Sequence, residues 1–278
     1  MIHGGAFILG HSKMVNRDQI RDCQDRGWIV VVPEHRLCPR VDILEGPITD
    51  CRDALEWLHN DGLDVELRKL ESNFVLDVDR IVAVGTSSGG TIALSLGFGV
   101  PKPVRAIFDL YGATNFSDNF WSRPHPSKAA PSCTTEFINQ VYNEKPVPTK
   151  GGVSLEGQAG EAEPPSLDFR TAFAFTHISN GTLLDVCFPS KDFKKIDATM
   201  NIDRQFPPTF IAHGVEDDMV PPYLSKVLFD RLRGAGVRCE FQDIPGEGHT
   251  FAGKMIKGSR TWDLQSRGFD FLESIIRR

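Results

Sequence analysis

Between the apolar run at 81–84 and a helix-forming stretch at 91–96, the chain reads Gly85-Thr86-Ser87-Ser88-Gly89-Gly90. A strand that becomes a helix over so few residues must turn sharply. Small residues two before and two after Ser87 let the backbone pass itself without collision. Such a turn strains the middle residue and lifts its hydroxyl clear of the sheet. The N-terminus of the following helix then favours negative charge developing nearby. A plain strand-to-helix turn capped by Ser88 or Thr91 would leave the same string. The rest of the chain decides between the two.

Strand and helix signals alternate on both sides of this turn, as in a mostly parallel sheet covered on both faces, an α/β architecture. Residues 28–33 run through Val30, Val31 and Val32, which predicts a strand buried on both sides. Residues 48–59 carry Leu55, Trp57 and Leu58 at helical spacing until Asn60-Asp61-Gly62 stops them. Strands are predicted at 81–84, 105–110, 208–213 and 238–241, and helices at 88–98, 224–234 and 261–276. The rhythm lapses from about 112 to 204, a stretch holding Pro124, Pro126, Pro131, Pro146, Pro148, Pro164 and Pro165. That predicts an inserted cap at 113–204 on a core made of 1–112 and 205–278. Helices are expected within the cap at 134–142 and 166–180, and a mobile loop at 146–165.

A net charge of −6 and a pI near 5.8 argue against nucleic acid or an anionic membrane as partner. No apolar run reaches membrane-spanning length, and the start Met1-Ile2-His3-Gly4-Gly5 lacks the basic flank and cleavage site of a signal peptide. Cys23, Cys38, Cys51, Cys133, Cys187 and Cys239 lie far apart, as buried thiols of a reducing, cytoplasmic compartment would. Neither they nor the 8 histidines show ligand spacing, so no metal and no cofactor are expected.

Acyl transfer needs a nucleophile, a base, an acid to orient that base, and donors aimed at the oxyanion. Ser87 comes first. The predicted strand at 208–213 runs into His213-Gly214-Val215-Glu216-Asp217-Asp218, and that at 238–241 precedes Gly246-Glu247-Gly248-His249-Thr250. Both loops follow strands, and parallel sheets gather such loops outside their carboxyl ends. Asp217, Glu216 and Asp218 all stand in that first loop as candidates for the orienting acid. His213 reads as a satisfied strand-end residue and His3 as structural. Most aromatics of 113–204, among them Phe116, Phe120, Trp121, Phe173 and Phe175, read as cap packing with some lining a pocket.

With His3-Gly4-Gly5-Ala6-Phe7 at one end and Leu232-Arg233-Gly234-Ala235-Gly236-Val237 near the other, the chain resembles the hormone-sensitive-lipase-like esterases of the α/β-hydrolase superfamily. The resemblance implies Ser87 as nucleophile, His249 as general base and acid, and Asp217 as the orienting carboxylate. It implies an oxyanion hole from the N–H groups of Gly5, Ala6 and Ser88. Thr86, Ser88 and Ala6 depart from the family's usual residues without disturbing the turn or removing an N–H. In that family several tens of residues lead into the His-Gly-Gly loop, whereas here Met1 and Ile2 alone stand before His3. The leading strands are therefore expected to be abbreviated. The oxyanion loop would be less firmly held, or completed by a partner chain in a homodimer.

The resulting expectation is a serine hydrolase cleaving a small or medium carboxylic ester. Three other readings share the residues: lactonisation, cyclisation or acyl transfer by the same triad; an exopeptidase; and a binding protein on a decayed site.

Overall fold

A computed structural model describes residues 1–125, 131–152 and 168–277. Four strands form one parallel sheet in chain order: β1 (Ala83–Thr86), β2 (Ile107–Leu110), β3 (Thr209–Gly214) and β4 (Cys239–Ile244). Gly85 pairs with Asp109 across β1 and β2, and His213 with Asp243 across β3 and β4. The helices are α1 (Arg17–Asp25), α2 (Thr49–His59), α3 (Gly62–Lys69), α4 (Ser88–Ser95), α5 (Thr135–Ile138), α6 (Phe169–Asn180), α7 (Leu183–Cys187), α8 (Pro222–Gly234), α9 (Phe251–Lys254) and α10 (Arg260–Ile276).

The sheet is apolar on both faces because alternate residues of one strand enter different cores. Ile107 and Ile211 pack with Ile92 of α4, Leu228 and Leu232 of α8, and Phe173 of α6. Phe108 and Phe210 face the other way, onto Phe269, Phe271 and Leu272 of α10. Gly268 lets α10 approach closely, since a Cβ there would stand 2.5 Å from the Phe108 ring. The first core runs without a break into residues 113–204, through Phe116, Val141, Phe173, Leu184 and Phe188. No helix of the described residues is long and apolar enough to cross a membrane.

Residues 28–33 depart from expectation. They join no strand ladder, and Ile29 is 42% exposed. Composition makes a run strand-like, but a ladder needs a partner at the right distance. Here a cavity of about 490 Å³ lies between this run and residues 81–84. Ile2 makes one isolated parallel bridge with Gly85, and the Met1 ammonium donates to the Val31 carbonyl at 2.7 Å. The expected helix at 134–142 is a single α-turn, α5, followed by a 3₁₀ segment at Asn139–Asn143. Of the loop expected to be mobile, 153–165 lies outside the described residues, whereas 146–152 is bonded down. There the Pro148 carbonyl accepts from the Leu37 N–H at 2.9 Å, and Gly151 pairs with Gly10.

Candidate active site

Ser87 sits between β1 and α4 at φ 52°, ψ −125°, a conformation that costs an L-residue of order 1–3 kcal/mol. The glycines of the motif make the turn sterically feasible. A Cβ on Gly85 would stand 2.0 Å from the Gly89 carbonyl oxygen, and one on Gly89 would stand 2.3 Å from that of Ile2. The Ser87 N–H donates to the Leu110 carbonyl at 2.9 Å, tying the turn to β2.

Three side chains from three loops meet here. Ser87 Oγ lies 2.9 Å from His249 Nε2, and His249 Nδ1 lies 2.6 Å from Asp217 Oδ2. With Nδ1–H donating to the carboxylate, Nε2 is left to accept the serine proton. Asp217 is buried while Glu216 and Asp218 are exposed, so the fold itself separates the three acids of that loop. The other Asp217 oxygen accepts the N–H groups of Met219 and Val220, each at 2.9 Å. Burial opposes charge on Asp217, but hydrogen bonds from His213 and His249 outweigh it and hold the carboxyl well below the usual carboxylate range.

His213 does more than close a strand. Its Nε2 lies 3.1 Å from Asp217 Oδ2 and 2.8 Å from the Val220 carbonyl, while Nδ1 contacts Ser225 Oγ at 2.8 Å. Both Nε2 partners are acceptors, so Nε2 carries the proton and donates to the pair. Tyr111, at the carboxyl end of β2, sets its ring edge-on to His249 at 4.9 Å. Its position after a sheet strand was the signal in the sequence that could have marked it. Another missed group is Asp109 of β2, fully buried beneath the turn. Its Oδ1 accepts from the Gly112 N–H at 3.0 Å.

The loop 3–10 closes the other side. His3 is buried, stacks on His35 at 4.4 Å and donates from Nδ1 to the Gly4 carbonyl at 2.8 Å. Burial, then the neighbouring His35, lowers its pKa to about 3, so it is a neutral brace. Ala6 and Phe7 adopt φ 54° and 63°. Among the described residues no protein acceptor bonds the N–H groups of Gly5, Ala6 or Ser88. A cavity of about 50 Å³ beside Ser87 and His249 is lined by Ala6 and Ser88 and by Phe116, Trp121, Leu184 and Met219. Among the described residues no cluster of His, Cys, Asp or Glu has the arrangement of a metal site.

A family model described as the alpha/beta hydrolase fold matches residues 1–253. The chain is 30% identical over 285 residues to the non-reducing polyketide synthase ausA of Aspergillus calidoustus, covering 90% of this chain and 12% of that protein. It is 29% identical over 294 residues to the non-reducing polyketide synthase Preu6 of Preussia isomera, covering 98% and 13%. The chain thus spans about an eighth of the length of these relatives. Among solved structures, carboxyl esterase 2 of Tuber melanosporum superposes with a TM-score of 0.60 at 20% identity, over 99% of this chain and 77% of that one. The butyrate-bound esterase 2 of Thermogutta terrifontis gives 0.63 at 16%, over 99% and 81%. The match along 1–253, on a parallel sheet with helices on both faces, means that the chain belongs to the α/β-hydrolase family that includes the hormone-sensitive-lipase-like esterases.

Proposed function

We propose that the chain is a serine hydrolase that cleaves carboxylic esters of small or medium organic molecules through an acyl-enzyme on Ser87. The observation that carries this reading is the unbroken chain Ser87–His249–Asp217, with contacts of 2.9 and 2.6 Å. His249 Nε2 takes the hydroxyl proton as Oγ attacks the ester carbonyl carbon. The ionised Asp217 stabilises the imidazolium so formed. The carbonyl oxygen, now negative, is received by the N–H groups of Gly5, Ala6 and Ser88, for which α4 adds its N-terminal field. His249 returns the proton to the departing alcohol, then deprotonates a water that releases the acid. Residues 113–204 act as the cap whose apolar side chains receive the acyl group. Ser87→Ala is expected to abolish turnover of a short-chain p-nitrophenyl ester. An unchanged rate in that variant would sink the reading.

A second reading is favoured by the relatives, which are polyketide synthases. In it the acyl-enzyme carries a polyketide, and an internal hydroxyl or a second acceptor, rather than water, captures the acyl group. Product mass spectrometry separates the two: the free acid marks hydrolysis, whereas loss of water from that acid marks ring closure.

A further inference from the structure

We propose that Arg170 is a positioning residue for the oxyanion loop, so that the 113–204 segment holds the Ala6 N–H in place. This rests on the acyl-transfer reading above. Arg170 lies in the first turn of α6 and is 2% exposed. Its Nη1 donates to the Ile8 carbonyl at 2.5 Å and to the Cys38 carbonyl at 2.8 Å. Its Nε and Nη2 are bonded to the two carboxylate oxygens of Glu144. Four of the five guanidinium N–H groups are thereby directed, and one carboxylate balances the buried charge.

The consequence follows peptide by peptide. The Ile8 carbonyl belongs to the same rigid peptide plane as the Leu9 N–H. That N–H donates to the Gly5 carbonyl at 2.8 Å, as the Ile8 N–H does at 3.0 Å. The Gly5 carbonyl in turn shares its plane with the Ala6 N–H, an oxyanion donor. The peptide that carries the Ile8 N–H is tied from outside as well, by the Cys38 N–H, which donates to the Phe7 carbonyl at 2.9 Å. Outside support is needed because Ala6 and Phe7 both hold left-handed backbone that non-glycine residues disfavour. Gly151 makes room for the brace, since a Cβ there would stand 2.4 Å from Arg170 Cδ.

The test compares Arg170→Gln and Arg170→Lys with the wild type on a short-chain p-nitrophenyl ester, with folded protein quantified by circular dichroism. Removing the fork is expected to lower kcat roughly tenfold to a hundredfold while KM stays within about twofold, because the lost contact acts on the oxyanion. Affinity for a boronic acid of the same acyl chain, which forms a tetrahedral adduct on a serine, should weaken by a similar factor. Arg170→Lys keeps a buried charge beside Glu144 without the two-carbonyl fork, and should show a smaller loss of the same kind. Wild-type kcat per folded molecule in Arg170→Gln overturns the proposal. Should that variant fail to fold, wild-type kcat in Arg170→Lys overturns it, and a reduced kcat at unchanged KM supports it. Failure of the wild type itself to turn over any ester would strike the hydrolase reading instead.

Discussion

Two buried carboxyl groups in this molecule respond to pH in opposite senses. Asp217 is held ionised by His213 and His249, with its folded pKa below the unfolded one. Its contribution to stability is therefore present above the unfolded pKa and lost as pH falls through the carboxylate range. Asp109 is pushed up to about 7 by burial, against a lesser pull from His213 and the Gly112 N–H. Between about pH 4 and 7 the folded chain keeps a proton that the unfolded chain has released, so stability from Asp109 falls as pH rises through that window. At about 1.4 kcal/mol per unit the whole effect is a few kcal/mol. Asp109→Asn is expected to flatten the decline in urea midpoint between those limits; superimposable slopes for the two proteins would refute it. Asp217→Asn is expected to cut kcat by roughly 10³–10⁴-fold in ester turnover, because the imidazole loses its orienting acceptor. Ser87, Asp217 and His249 were legible in the sequence because their chain order and their loops after apolar runs are one-dimensional facts. The second histidine on Asp217 was not, since its partners Val220 and Ser225 are set by how the loop folds back.

At the scale of the element, the strand–turn–helix around Ser87 was readable because its demands are local. Gly85 answers the Gly89 carbonyl within the turn itself, while Gly89 faces the carbonyls of Ile2 and His3 and Gly90 faces Asp109 and Gly112 at the end of β2. Gly89→Ala tests this: its Cβ would press on the carbonyls of Ile2 and His3 at 2.3 and 2.5 Å. The variant is expected to lose about 1–3 kcal/mol in urea unfolding and to lose ester turnover as loop 3–10 shifts. Stability and kcat both at wild-type values would show that the approach is not tight. Residues 28–33 were misread as a buried strand because β-branched composition reports what a residue tolerates, and pairing depends on a neighbour far away in sequence. Helix α3 left only a short signal, Leu63 and Leu67 one turn apart, and none of its side chains is buried. Helix α1 did leave one, in the Asn16 cap that accepts from the N–H groups of Asp18 and Gln19.

Across the whole molecule, the segment 113–204 shares one core with the sheet and forms part of the wall beside Ser87. In the sequence this segment stood out as a lapse in strand–helix rhythm between the runs that form β2 and β3. It concealed the seam, because Arg170 is a single charge among Phe169, Phe173 and Phe175 whose partners lie at residues 8, 38 and 144. If this segment shapes the acyl pocket, Trp121→Ala should raise kcat/KM for a long-chain ester relative to a short-chain one by about tenfold. An unaltered chain-length profile would assign that pocket elsewhere. The sheet is also laid down in the order in which the chain is synthesised, β1 through β4, with Ser87 after β1 and His249 after β4. The two are 162 residues apart, which at about 5–20 residues per second is roughly 8–32 s of translation. On the acyl-transfer reading proposed above, a nascent chain through that interval displays the serine without His249 to take its proton, so acyl donors are spared until the last strand joins the sheet.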